Sequence, residues 1–145
     1  SARTFCVGDV SAENRKLSDV TRHSLDMAIQ LVRPDGRWSE IAAAMSDYIS
    51  SQGFSVIEQY VGHGIGEEMH EEPQVPNYVS PELRRRDIPL KPGLVIAVEP
   101  MVNMGTKRCR TLRDGWTVVT ADGTPSAHWE HTLAVTETGV RVLTV

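Results

Sequence analysis

Apolar positions recur at helical spacing in the first third of the chain and fall into short runs between Gly and Pro in the rest. From Ala12 to Val32, residues Leu17, Val20, Leu25, Ala28, Ile29 and Val32 follow the spacing of one helix face, with charged residues between them. Ser11 offers an N-cap oxygen, and Glu13 places a carboxylate in the first turn, where the helix dipole favours an anion. Pro34-Asp35-Gly36 stops this helix. A second helix is predicted from Trp38 to Gln52, with Ile41, Ala42, Met45 and Ile49 on its apolar face and Gly53 ending it. Ahead of both, Arg3 to Val7 reads as a strand leading into a turn at Val7-Gly8-Asp9-Val10.

Beyond Gly53 the pattern becomes that of strands. Phe54 to Val61 alternates loosely, and Leu94 to Val98 is a continuous apolar run of the kind buried on both faces. Gly62 to Pro81 is rich in Gly, Pro and His and reads as a loop with short turns, and Glu82 to Asp87 is charged. Asp114-Gly115 and Asp122-Gly123 are hairpin signals, before strands at Trp116 to Thr120 and Ala127 to Thr136. A last strand is expected from Val140 to Val145. Two helices followed by a strand-rich half predict an α+β fold in one domain over 1–145.

Composition narrows the function. A net charge of -4 argues against a basic face for nucleic acid. No apolar run approaches the ~18 residues of a membrane span. Cys6 and Cys109 form no Cys-x-x-Cys pair, which suggests reduced thiols and a cytoplasmic location.

Four polar signatures interrupt this ordinary background. His63 sits between Gly62 and Gly64, where the backbone can turn sharply and approach a site closely. His70 opens His-Glu-Glu-Pro, and Pro73 forbids the regular helix that a His-Glu-x-x-His zinc motif needs. Glu99 closes the apolar run Leu94–Val98, where a carboxylate is costly to bury unless it is paired or metal-bound. Glu130 lies within the strand predicted over Ala127–Thr136 and by alternation faces away from Trp129 and His131. Two glutamates and a histidine make a hard, carboxylate-rich set suited to Mn, Fe, Co, Zn or Ni. Read singly, each Glu is a surface residue; read together, they share a site. His128 and His131 read as neighbours of the site or as exposed residues. Trp116 reads as a pocket wall or a core residue, and Arg84-Arg85-Arg86 as a solvated face, with ribosome docking as the functional alternative.

These stretches together resemble the methionine aminopeptidases, in their type I form. The matching segments are GHGIG at 62–66, HEEPQVPNY at 70–78, LKPGLVIAVEPMVN at 90–103 and DGWTVVTADGTPSAHWEHTLAVTETG at 114–139, with weaker similarity through the helices. The resemblance implies the C-terminal half of a pita-bread fold, with two helices and a curved antiparallel sheet. It also implies a two-metal centre that removes the N-terminal methionine from nascent proteins. On it, His63, Glu99 and Glu130 are metal ligands, and Glu99 also moves the proton. His70 contacts the scissile amide, and Trp116 and Met69 line the methionine pocket, with Met69 standing where many members carry an aromatic residue.

The same resemblance implies two Asp ligands ahead of residue 1, the second immediately before Ser1. The expectation is then a chain that binds at most one divalent ion weakly, is inactive alone and needs its N-terminal half. Two alternatives stand beside this reading. One is an enzyme like aminopeptidase P or prolidase; the other is a non-catalytic pita-bread domain that binds peptides or proteins.

Overall fold

A computed structural model describes residues 1–144. Helix α1 spans Ala12–Leu31 and α2 spans Trp38–Ser51, within a residue of the predicted bounds. The Ser11 hydroxyl accepts a hydrogen bond from the Asn14 N–H at 3.2 Å, the cap its sequence position predicts. The strands are β1 (Ser55–Val56), β2 (Gly62–Gly64), β3 (Glu71–Val75), β4 (Val95–Val98), β5 (Met101–Asn103), β6 (Cys109–Thr111), β7 (Val118–Thr120), β8 (Ser126–His128), β9 (His131–Thr136) and β10 (Gly139–Val142). A third helix, α3 (Pro81–Arg85), occupies the charged segment, capped by the Ser80 hydroxyl.

The strands are antiparallel throughout, as expected, and fall into three hydrogen-bonded groups. A five-stranded antiparallel sheet runs β10-β9-β4-β2-β3, a three-stranded one runs β1-β5-β8, and β6-β7 form a separate hairpin. Both larger sheets pack against the helix pair. The C-terminal part of α1 and most of α2 bury Leu25, Ala28, Trp38, Ile41 and Met45 against Ile96, Val98, Leu133 and Val135 of the larger sheet. The N-terminal part of α1 and the end of α2 bury Leu17, Val20 and Ile49 against Val56, Val102 and Ala127 of the smaller one. Trp38 ties the layers together: it is fully buried, and its indole N–H donates to the Pro76 carbonyl at 2.7 Å.

Several expected elements change. The strand predicted over Ala127–Thr136 is interrupted at Trp129-Glu130, and β8 with β5 and β9 with β4 keep one antiparallel register on either side of the gap. The loop predicted over Gly62–Pro81 contains two strands; Pro73 is tolerated there because β3 is an edge strand, where a missing N–H costs no ladder bond. Phe54–Val61 shortens to β1, since Phe54, Val56 and Ile57 are all buried and do not alternate. Among the described residues of Arg3–Val7 no strand forms: Ala2 bridges Glu130, Thr4 bonds His128 through its hydroxyl, and Phe5 and Val7 are exposed. Asp114-Gly115 does join a hairpin, β6 to β7. Asp122-Gly123 does not, and instead passes the chain from that hairpin to the smaller sheet. The predicted end of the last strand at Val145 lies outside the described residues. Cys6 and Cys109 are free thiols.

Two predictions follow from this packing. A Cβ at Gly62 would collide with the Ala97 carbonyl across β2 and β4, so Gly62→Ala should cost about 1–3 kcal/mol as an overpacked site, read as a lower urea midpoint. Asp122 accepts hydrogen bonds from the Thr106 N–H at 2.7 Å and from Thr124, and these hold its carboxyl well below the ordinary carboxylate range. Its stabilisation is therefore present above the unfolded-state pKa and lost as pH falls below it. Asp122→Asn should lower the urea midpoint near neutrality and leave it unchanged in strong acid.

Candidate metal centre

His63 is placed by its glycines. It lies at the centre of β2, between β4 and β3, opposite Ala97 on one side and Gln74 on the other. A Cβ at Gly64 would strike the Glu72 carbonyl, so glycine lets β3 close onto this strand. The His63 Nδ1 lies 2.9 Å from the Gly64 carbonyl oxygen, which only accepts. Nδ1 therefore donates to that carbonyl, which leaves Nε2 as the ring atom that faces the site, the orientation expected of a metal-ligating imidazole. That Nε2 stands 3.6 Å from Glu99 Oε1. The His70 ring lies against the other imidazole, with centroids 4.2 Å apart at 48°.

Glu99 and Glu130 occupy the seam between the two larger sheets. β4 ends at Val98, opposite His131 of β9, and β5 begins at Met101, opposite His128 of β8. Between them, at Glu99-Pro100 and Trp129-Glu130, the ladder is interrupted. The Trp129 N–H still reaches the Pro100 carbonyl opposite it at 3.3 Å, but the Glu99 carbonyl accepts from the Asn77 amide at 3.0 Å and the Glu130 N–H donates to the Ala2 carbonyl at 2.9 Å. The side chains of Glu99, His128 and Glu130 converge, with one ligand-type atom from each lying within 4.8 Å of the others. The Glu99 and Glu130 side chains are only 14% and 17% exposed, and His63 15%, so three ionisable groups are held mostly out of water.

The residues fit a divalent cation. Carboxylates withdrawn from water are costly without a compensating positive charge, and among the described residues the basic groups within 4 Å of the Glu99 carboxylate are two imidazoles. The buried His128 Nε2 makes no hydrogen bond. Oxygen and imidazole donors in this combination suit Zn, Co, Ni, Fe or Mn.

Of the residues singled out from the sequence as ligands, Glu99 and Glu130 fall in the group with His128, whereas His63 lies 3.6 Å from Glu99 Oε1 and outside it, with His70 beside His63. Met69 and Trp116 are 71% and 88% exposed. Trp116 sits at the β6-β7 turn, where the Asp114 carboxylate accepts from the Trp116 and Thr117 N–H groups. The Thr117 hydroxyl and these backbone bonds lower the Asp114 pKa. His128 is the residue that the sequence reading left at the margin. A signal was present: His128 and Glu130 are two apart in a strand-like stretch, and such residues share a face.

Fold and site together define an α+β protein with a carboxylate–imidazole cluster at the seam of two antiparallel sheets. Residues 1–137 match the metallopeptidase family M24, and the chain belongs to that family. It is 49% identical over 144 residues to methionine aminopeptidase 1 of Bacillus subtilis, covering 99% of this chain and 57% of that protein. The crystal structure of methionine aminopeptidase from Thermotoga maritima superposes with a TM-score of 0.91 at 42% identity, over 98% of this chain and 56% of that one. The prolidase of Pyrococcus furiosus shares the fold at 23% identity, with a TM-score of 0.73 over 99% of this chain and 36% of that one. The chain is therefore a part of the pita-bread fold and spans about half the length of the curated relatives it matches.

If the seam holds a cation, binding must stabilise the fold. Co²⁺ or Mn²⁺ at about 100 times its dissociation constant should add about 2.7 kcal/mol, read as a rise in melting temperature that EDTA reverses. Glu130→Gln should abolish the rise.

Proposed function

We propose that the protein removes the N-terminal methionine from nascent polypeptides by metal-dependent peptide hydrolysis. The observation that carries this reading is the convergence of Glu99, His128 and Glu130, with His63 and His70 alongside, in a chain similar to methionine aminopeptidases along its whole length.

His63, Glu99 and Glu130 would hold a divalent ion. When bound, such an ion supplies Lewis acidity and lowers the pKa of a water. Glu99, its backbone carbonyl held by Asn77, would take a proton and return it to the leaving amine. His70, exposed beside His63, would donate a hydrogen bond to the scissile amide. Met69 and Trp116, presented at the surface, would close the methionine pocket around a bound peptide.

The donors in this chain suffice for one ion. A second ion of the proposed centre would take further carboxylates from the part of the relatives' length that this chain does not span, and full activity would depend on them. The substrates would be N-terminal Met peptides emerging in the cytoplasm, with the ribosome as the partner that delivers them. Among the described residues no helix is long and apolar enough to cross a membrane.

The test is methionine release from Met-Ala-Ser with added Co²⁺ or Mn²⁺. It would use this chain alone and this chain fused to the unmatched portion of the Bacillus subtilis relative. The fusion should release methionine and the chain alone should not, and His70→Ala in the fusion should lower the rate by about 100-fold or more. A fusion that takes up metal yet releases no methionine, or that cleaves only X-Pro bonds, would overturn the reading.

A further inference from the structure

We infer that His128 is itself a metal ligand, through Nε2, so that the seam offers two imidazoles and two carboxylates. This rests on the metal-site reading above and adds a donor to it.

Three observations point the same way. The His128 Nε2 is buried and makes no hydrogen bond. It stands 3.4 Å from Glu99 Oε2, while His63 Nε2 stands 3.6 Å from Glu99 Oε1, so each oxygen of one carboxylate faces one imidazole nitrogen. Both separations exceed the usual N–H···O range of about 2.7–3.2 Å. They match instead the spacing of two donors on one tetrahedral ion: bonds of about 2.1 Å at the tetrahedral angle put the donors about 3.4 Å apart. Finally, Glu130 completes a group with Glu99 and His128 whose ligand atoms all lie within 4.8 Å of one another.

The backbone supports this aim. His128 ends β8, paired with Met101 of β5, and its own N–H and carbonyl are both engaged by the Thr4 hydroxyl. The ring is therefore carried on a fixed piece of chain two residues from Glu130. A second imidazole has a chemical consequence. It shifts the donor set toward Zn²⁺, Co²⁺ and Ni²⁺ and away from the harder Mn²⁺ and Mg²⁺, which favour oxygen.

Nitrogen-15 NMR of the histidine rings, recorded on this chain with and without Zn²⁺, tests the assignment without a substitution. On Zn²⁺ addition the Nε2 signals of His63 and His128 should both move to the metal-bound position, and that of His131 should not. A shift at His63 with none at His128 would overturn the proposal while leaving the metal site standing. Absence of any Zn²⁺ uptake would remove the metal site and the proposal together. A second readout is affinity by calorimetry. His128→Gln keeps an amide N–H able to bond Glu99 but removes the imidazole. It should weaken Zn²⁺ binding on the order of 10-fold or more and Mn²⁺ binding less. Unchanged Zn²⁺ affinity in a variant that melts like the wild type without metal would assign His128 a hydrogen-bonding role only, against the proposal.

Discussion

Two antiparallel strand pairs in this protein share one register, and the candidate site lies where their ladder is interrupted. Pro100 has no N–H to donate, and the Glu130 N–H turns to the Ala2 carbonyl, while the Trp129 N–H still reaches the Pro100 carbonyl across the pair. The chain passes from β4 to β5 and from β8 to β9 at this point, and the two crossings lie side by side. Because the register is kept across them, Glu99 stands opposite Glu130, and His128, two residues from Glu130, shares its face. Glu99, Glu130 and His128 therefore come together at the seam.

What keeps the seam in place is packing behind it. Ile96 and Val98 lead into Glu99 from one core, and Val102 leads away into the other, all fully buried. Helices α1 and α2 bridge both cores, so neither sheet can rotate without disturbing the same helix pair. Trp129 adds a local tie, its indole N–H donating to the Ser18 hydroxyl of α1 at 3.2 Å. Carboxylates supported in this way cannot relax toward water easily, and that is the condition under which a cation becomes the favourable partner.

The helices and the central strand β4 were legible in the sequence because their apolar spacing reflects burial directly. Leu17, Val20, Leu25 and Ala28 repeat with the helix, and Leu94–Val98 has no polar residue to expose. Glu99 stood out because it ends such a run. The seam itself was less legible. Ala127–Thr136 alternates well enough to read as one strand, and what interrupts it at Trp129-Glu130 are bonds to distant residues, from the Glu130 N–H to Ala2 and from Asn77 to the Glu99 carbonyl opposite. The β2–β3 pair was hidden for a different reason: its glycines and Pro73 carry the marks of a loop, yet they serve close strand approach and an edge. For His128 the sequence leaves a neighbour of the site and an exposed residue as equal readings, because what sets it apart is the approach to Glu99, 29 positions away in the chain.

The central claim is that this seam is built to hold a cation. Anomalous X-ray diffraction from crystals of this chain soaked in Zn²⁺, collected on either side of the zinc edge, tests it most directly. A single strong peak bounded by Glu99, Glu130 and the flanking imidazoles is predicted. Well-ordered crystals with zinc peaks only at surface residues, and none at the seam, would contradict it.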